Sequence, residues 1–331
     1  MKITFLVNDA ADIQPTQTTA MLIQAAVRQG HQVGVTGVSD LACAPDGSPT
    51  AQIRWLTQMA LSLSALMQTI AKTPPCREPL SESELLFMRT NPARDSSQAP
   101  LHSLAIHLAR RCQEAGTRVI NRPDGLWRAA NKLYLLELPE FTRPKTLVSQ
   151  NPVEILSFIH SLEDAAVIKP LQGTRGSDVF LIKERADANL NQIVEVVLRQ
   201  GPAMVQRCIP GAAAGDTRVV VFNGQVLTLN GHLAAIQRVP KKGDFRSNLH
   251  AGGAAQPGVV TPPMQAVIDA IGPQLVRDGL LFVGLDFIGA QLVEINVFST
   301  GGLRDAERFT GESFTDFVMQ QLSHSSALST I

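Results

Sequence analysis

Near the end of the chain, Asp286, Glu294 and Asn296 sit in two apolar runs separated at Gly289: Gly284-Leu285-Asp286-Phe287-Ile288 and Leu292-Val293-Glu294-Ile295-Asn296-Val297. Such runs read as two strands around a turn. Side chains alternate along a strand, so Glu294 and Asn296 share a face. A three-residue connection at 289–291 sets Asp286 opposite Glu294 on that face. Leu285, Phe287, Val293, Ile295 and Val297 then fill the other face. Two adjacent carboxylates repel and raise each other's pKa unless a cation lies between them. An all-oxygen donor set suits Mg²⁺, which binds through a few carboxylates and phosphates. An edge hairpin with solvated acids fits the same pattern.

Lys169 ends the apolar run Ala166-Val167-Ile168 and is followed by Pro170-Leu171-Gln172-Gly173-Thr174-Arg175-Gly176. A lysine at a strand end offers a point charge, and a Gly-x-x-Gly loop offers free backbone N–H groups, which together suit phosphate. Gly-Lys-Ser/Thr is missing, so this is no P-loop. A plain turn with a snorkelling lysine is the competing reading. Further on, Met204-Val205-Gln206-Arg207-Cys208-Ile209-Pro210 ends a strand between two units, where backbone groups are available to an adenine ring. Asp216 is placed to accept from a ribose hydroxyl, and Arg218 brings a fixed positive charge to the sheet. A surface Asp–Arg pair worth little is the alternative. The stretch 238–253 is polar and glycine-rich, with Lys241, Lys242 and Arg246 close together. It reads as a connection or an active-site lid over an anionic ligand.

Other chemistries lack their patterns. His102 and His107 are five apart, so the helical zinc spacing fails. No Gly-x-Ser-x-Gly elbow occurs. Cys43, Cys76, Cys112 and Cys208 are scattered without a CxxC pair, which points to a reducing compartment and to neither disulfides nor zinc.

These residues need elements to hold them. The chain opens strand–loop–helix–strand over 3–7, 18–29 and 31–36, a βαβ start of a parallel sheet with ligands at the strand C-termini. Leu56, Met59, Leu63, Leu66 and Ile70 recur at helical spacing, so 55–70 reads as an amphipathic core helix. A strand at 85–88, a helix at 103–115 and a strand at 118–120 complete a first unit. Asn121-Arg122-Pro123-Asp124-Gly125 is a turn-rich boundary, and a helix carrying Lys132 follows. A small α+β unit comes next. The remainder is strand-rich, with helices at 262–278 and 312–322. The limits are 1–120, 121–202 and 203–331.

With 331 residues the chain has room for two or more domains, and 44% hydrophobic with 18% charged residues is ordinary globular composition. Twenty-nine basic and 29 acidic residues cancel, which argues against bulk electrostatic binding to nucleic acid. The apolar start stops at Asn8-Asp9, too short for a signal-peptide core, and no stretch reads as a membrane span. A cytoplasmic protein is expected.

In this order the segments resemble an ATP-grasp carboxylate–amine ligase, and most closely the bacterial glutathione synthetase family. Phe87-Met88-Arg89-Thr90-Asn91-Pro92, Asn131-Lys132-Leu133, Lys169-Pro170-Leu171-Gln172-Gly173, Gly215-Asp216-Thr217-Arg218, Arg246-Ser247-Asn248, Phe282-Val283-Gly284-Leu285-Asp286 and Glu294-Ile295-Asn296-Val297 carry the likeness. It is weakest between about 42 and 80. The resemblance implies an α/β (α+β) chain with an ATP-grasp fold and an N-terminal parallel-sheet domain. It implies ATP and Mg²⁺ as cofactors and peptide and amino-acid substrates. Lys132 and Lys169 would contact the ATP phosphates, with Gly173, Thr174, Arg175 and Gly176 as a small loop over them. Gln206, Cys208 and Ile209 would lie along adenine, and Asp216 would hold ribose. Asp286, Glu294 and Asn296 would ligate the metal. Arg218, Arg238 and Arg246 would stabilise developing charge. Arg89, Asn248, Ser299, Thr300, Gly301 and Gly302 would meet the substrates, and 239–254 would be the lid. The implied reaction joins γ-glutamylcysteine to glycine through an acyl phosphate. A homo-oligomer is implied too.

Three places depart from the family. Phe298-Ser299-Thr300-Gly301-Gly302 stands where members carry Ser-Pro-Thr, Arg175 replaces a small residue, and 223–237 is longer than the matching hairpin. A ligase with another donor or acceptor, or a nucleotide binder without turnover, are the alternatives.

Overall fold

The computed structural model describes residues 1–56, 62–171, 178–184, 188–241 and 253–324. The first sheet is built on β1 (Lys2–Val7), β2 (Gln32–Gly37), β3 (Leu41–Cys43), β4 (Pro49–Trp55), β5 (Cys76–Pro79), β6 (Leu85–Met88) and β7 (Arg118–Ile120). Its order is β3-β4-β2-β1-β6-β7, with β5 also on β4. The centre is parallel, as the opening pattern predicts: β1 pairs with β2 and β6 in parallel. Ile3, Phe5, Leu85 and Phe87 are fully buried because helices cover both faces. Those helices are α1 (Thr18–Arg28), α2 (Leu63–Lys72) and α3 (Ala99–Glu114).

Two expectations change here. Trp55 ends β4, which pairs antiparallel with β2, β3 and β5. The helix expected over 55–70 is therefore described only from Leu63, where the Ser62 side chain accepts from Ala65 N at 3.2 Å. Leu66 and Ile70 are buried on it, and Met59 lies outside the described residues. Lys132 is carried by a 3₁₀ helix and not by an α-helix. It starts a 3₁₀ turn at Lys132–Glu137, after the short α4 (Pro123–Arg128), and the Asn131 side chain caps that turn.

The second sheet contains β8 (Thr146–Ser149), β9 (Ala166–Pro170), β10 (Phe180–Ile182) and β11 (Ala203–Arg207), in the antiparallel order β10-β9-β11-β8. Helices α5 (Pro152–Ser161) and α6 (Leu190–Leu198) bury Ile155, Ile159, Val194 and Val197 against it. The limit drawn at 202/203 therefore cuts this sheet. β11 bonds to both β8 and β9, so the strand after the Gly201-Pro202 turn returns to the small unit.

The third sheet joins β12 (Asp216–Phe222), β13 (Gln225–Val226), β16 (Ala235–Val239), β17 (Ala254–Pro257), β18 (Phe282–Ile288) and β19 (Gln291–Asn296). Between β13 and β16, β14 (Thr228–Leu229) and β15 (His232–Leu233) form a separate small hairpin, which accounts for the long stretch 223–237. One face packs on α7 (Pro262–Arg277) through Val219, Val221, Val283, Leu285 and Phe287. The other face turns toward the first sheet, α8 (Leu303–Thr310) and α9 (Phe314–His324), and it carries the polar residues. Asn121 ties the first sheet to it: its amide accepts from Phe282 N at 2.8 Å and donates to Phe282 O and Val297 O.

Candidate active site

Strand register puts the charged residues on one face. β12 and β18 pair Arg218 with Asp286, β12 and β16 pair Asp216 with Arg238, and β18 and β19 pair Asp286 with Glu294. The Asp286–Glu294 pairing is the one expected, reached by another route. The turn is shorter than the three-residue connection, because β18 and β19 pair from Ile288 to Gln291. A bulge compensates: Asp286 faces Glu294 while Phe287 faces Leu292, leaving Val293 extra. Val293 therefore lines the cavity, and Leu292 takes the core place expected of it.

The arginines and acids form a chain. Arg238 donates to both Asp216 oxygens at 2.6 Å and to Asp286 Oδ2 at 2.6 Å. Arg218 grips Asp286 with two bonds of 2.6 Å. Asn296 Nδ2 adds a longer bond to Asp286 at 3.3 Å. Asp286 is 1% exposed. Burial works against its charge, but Arg218 and Arg238 hold its pKa below the usual carboxylate value. Burial also opposes the charge of Arg238, yet Asp286 and Asp216 raise its pKa above normal.

Across from this face stands the small sheet. Lys169 Nζ reaches toward Val293 O at 3.5 Å, and Lys132 Nζ donates to Pro170 O and Leu171 O at 3.2 Å. Burial brings the Lys169 pKa down to about 8, with Glu294 acting in the opposite direction. Burial lowers Lys132 as well, again with Glu294 acting in the opposite direction. Gln206 points its amide at Thr146 Oγ1, 3.1 Å away.

One cavity of about 890 Å³ gathers these groups. Lys132, Lys169, Gln206, Cys208, Ile209, Asp216, Arg218, Arg238, Glu294 and Asn296 line it, together with Arg89, Ser299, Thr300, Gly301 and Gly302. Asp286 lies beneath the lining, held by the arginines. Gly173, Thr174, Arg175, Gly176, Arg246 and Asn248 lie outside the described residues. So does most of the expected lid, although its ends are paired: Val239 in β16 faces Ala254 in β17. Thr18 and Thr19 at the start of α1, Asn91, and Arg304 on α8 also line the cavity. Sequence reasoning assigned them no role. The rule that ligands gather at the C-termini of parallel strands was the available signal for Thr18, Thr19 and Asn91.

Residues 1–127 match the N-terminal domain of prokaryotic glutathione synthetase, and residues 131–311 match its ATP-grasp domain. The chain belongs to this family. It is 34% identical over 324 residues to the glutathione synthetase of Synechococcus elongatus, covering 96% of each chain. It is 35% identical over 327 residues to that of Gloeobacter violaceus, covering 97% of this chain and 96% of the relative. Among solved structures, D-cycloserine synthetase DcsG superposes with a TM-score of 0.65 at 17% identity, over 97% of this chain and 99% of that one. The ATP-grasp ligase PsnB in complex with a minimal precursor gives 0.61 at 19% identity, over 97% and 98%. At these identities the two structures share the fold. The prokaryotic glutathione synthetase family member described here is accordingly an ATP-dependent carboxylate–amine ligase with an ATP-grasp fold. No helix among its described residues is long and apolar enough to cross a membrane.

Proposed function

We propose that the chain makes glutathione, joining γ-glutamylcysteine to glycine with ATP. The observation that carries this reading is one cavity in which Lys169 of the small sheet and Lys132, from the 3₁₀ segment before it, lie with the β18–β19 strand pair that carries Asp286 and Glu294. In the reaction the donor carboxylate takes the γ-phosphate, and the amine then displaces phosphate. Lys132 and Lys169 neutralise phosphate charge, and partial burial strengthens their pull. Gln206, Cys208 and Ile209 border the base, and Asp216 borders the ribose while bonded to Arg238. Arg218 and Arg238 face the developing charge, with Arg246 from the lid segment. Ser299, Thr300, Gly301 and Gly302 border the peptide and amino acid; the phosphate role of Gly173, Thr174, Arg175 and Gly176 and the substrate role of Asn248 rest on family likeness alone, since these residues lie outside the described ones.

The donor set fits Mg²⁺. Asp286 and Glu294 face each other across β18 and β19, with the Asn296 carboxamide two residues further on, and all three are hard oxygen donors; both Asp286 oxygens accept from Arg218 and Arg238 here, so Glu294 and Asn296 are the donors that face the cavity. When bound, the ion supplies charge neutralisation at the phosphates. The division at 1–120, 121–202 and 203–331, moved past β11 at its second limit, assigns donor binding to the first unit and nucleotide to the other two. A homo-oligomer, a cytoplasmic location and no nucleic-acid role complete the reading, on family likeness and charge balance alone.

The test is ADP release with Mg²⁺, ATP, γ-glutamylcysteine and glycine, each left out in turn, with glutathione identified by mass spectrometry. Release that needs both substrates is expected. No release from any donor and acceptor while ATP binds would sink the reading. One observation favours a related ligase with another acceptor: a side chain at Gly301 would meet nothing within 4 Å, so the cavity has room there. ADP release only with a larger amine would establish it.

A further inference from the structure

The ladder between β18 and β19 stops short of the end of β18. The two strands pair Asp286 with Glu294 and Gly284 with Asn296, and their pairing ends there. Carried two residues further, the same register would set Phe282 against Phe298. Leu281 O accepts from Asn223 N on the β12 side, so the N–H and C=O of Phe282 face the side on which β19 would continue. Both are taken by one side chain. Asn121 Oδ1 accepts from Phe282 N at 2.8 Å, and Asn121 Nδ2 donates to Phe282 O at 2.9 Å. A carboxamide offers the N–H and C=O of a peptide unit, and exchanging both bonds is what a paired strand residue does. The Asn121 side chain thus fills the ladder place of residue 298.

The second N–H of the Asn121 carboxamide goes to Val297 O at 2.6 Å. Asn121 is 2% exposed and is not among the cavity's lining residues. Its own place is fixed from behind. Arg122 N donates to Gly279 O at 3.0 Å, and a Cβ added at Gly125 would lie 2.0 Å from Asp278 O. The end of β7 is therefore packed on the turn that leads into β18. With the place of residue 298 filled, the chain leaves the sheet after Val297. Ser299, Thr300, Gly301 and Gly302 then line the cavity, and Gly302 opens α8 with φ +113°, a conformation that favours glycine. Asn296, one residue before Val297, lines the cavity as well. The bond from Asn121 to Val297 O thus falls between the carboxamide expected at the metal and the segment expected at the substrates.

We infer that Asn121 is a positioning residue for the substrates: its carboxamide replaces a strand residue and so sets the segment 298–302 at the cavity wall. The inference rests on the ligase reading above for what that segment meets. Asn121 does not reach the cavity and acts through the backbone of Phe282 and Val297. The chemistry required of it is narrow. Two N–H donors and one acceptor must meet two carbonyls and one N–H away from water. Alanine at this place would leave three buried backbone groups without partners. A carboxylate of the same shape keeps the acceptor but turns an oxygen, with no proton to give, on the two carbonyls.

The test compares the wild type with Asn121→Asp at pH 8 in three measurements. Hydrogen exchange over 297–302 needs no substrate, and the segment should exchange on the order of tenfold faster in the variant while β12 and β16 keep their protection. Steady-state ADP release gives the KM for γ-glutamylcysteine and for glycine, and at least one should rise on the order of tenfold. Calorimetry with Mg²⁺ and a non-hydrolysable ATP analogue should give a nucleotide affinity within about twofold of the wild type. Unchanged exchange over 297–302 overturns the inference. So do unchanged KM values with a lower kcat, because Asn121 then serves stability alone. An equal loss of nucleotide and substrate affinity overturns it too, since the effect is then not that of the segment. A wild type that releases no ADP overturns the ligase reading, and the exchange measurement still decides whether Asn121 holds the segment. If Asn121→Asp does not fold, exchange in the wild type, read by NMR, remains. The Phe282 N–H should be as slow as that of Gly284 in the same ladder, and a fast Phe282 N–H overturns the inference.

Discussion

Arg238 and Arg89 are both buried arginines in the same cavity, 9% and 3% exposed, and they are treated in opposite ways. Arg238 sits between two aspartates, each bonded at 2.6 Å, and the chain Asp216–Arg238–Asp286–Arg218 alternates in sign. Arg89 has a hydroxyl, a carbonyl and two aromatic rings, with a second arginine nearby. A charge closed by its neighbours is part of the fold. A charge left open has a buried N–H with no partner among the described residues. The first arrangement ties β12, β16 and β18 together in register, and the second has no such closure.

The comparison breaks most sharply at Arg238. Arg238→Met leaves Asp216 without its paired cation and Asp286 with Arg218 alone. Removing one partner of a buried ion pair costs about 3–5 kcal/mol, so urea unfolding of the variant should show a loss of that size. A loss under about 1 kcal/mol would mean that the chain of pairs contributes little to the fold. A smaller effect is expected between the two regions, at Gly284. Gly284→Ala drives a methyl group against Thr300, which is 1% exposed and has nowhere to go. Overpacking of this kind costs about 1–3 kcal/mol. Because Thr300 O is also a partner of Arg89, the KM for the donor should rise while ATP binding stays unchanged.

How much of this was legible follows from what sets each feature. The Asp286–Glu294 pairing was legible because period-two alternation and a turn residue fix it, and a shorter turn with a bulge reaches the same register. The bulge itself was not legible: Leu292 and Val293 are both apolar, and hydrophobicity alone cannot say which faces the core. The parallel centre was legible from the buried runs at 3–7 and 85–88. The antiparallel edge made by β3, β4 and β5 was not, because Leu56, Leu63, Leu66 and Ile70 share a helical spacing across a strand end. The pairing of Arg218 and Arg238 with Asp286 joins residues 68 and 48 positions apart, and it depends on strand register that no local pattern carries. The open state of Arg89 was beyond the sequence for a related reason, since it is defined by which partners are missing.

The smaller effects lie around Arg89. Arg89→Met loses two hydrogen bonds to the protein and also removes a buried charge that no acid balances. These oppose each other, so the stability of the free protein should change by no more than about 1 kcal/mol. That near-zero result, set beside the Arg238 loss, is the signature of a side chain retained for a ligand. A loss of the Arg238 size would place Arg89 in the fold instead. Smallest of all is Thr300→Val. The Thr300 hydroxyl is buried against Gly284 with no partner among the described residues. Valine keeps the shape and removes the orphaned group, so the free protein should be unchanged or more stable by about 0.5 kcal/mol. Arg89 still reaches the carbonyl of residue 300, and donor affinity should hold. A valine variant that loses donor affinity while keeping its stability would show that the hydroxyl, too, is reserved for the ligand.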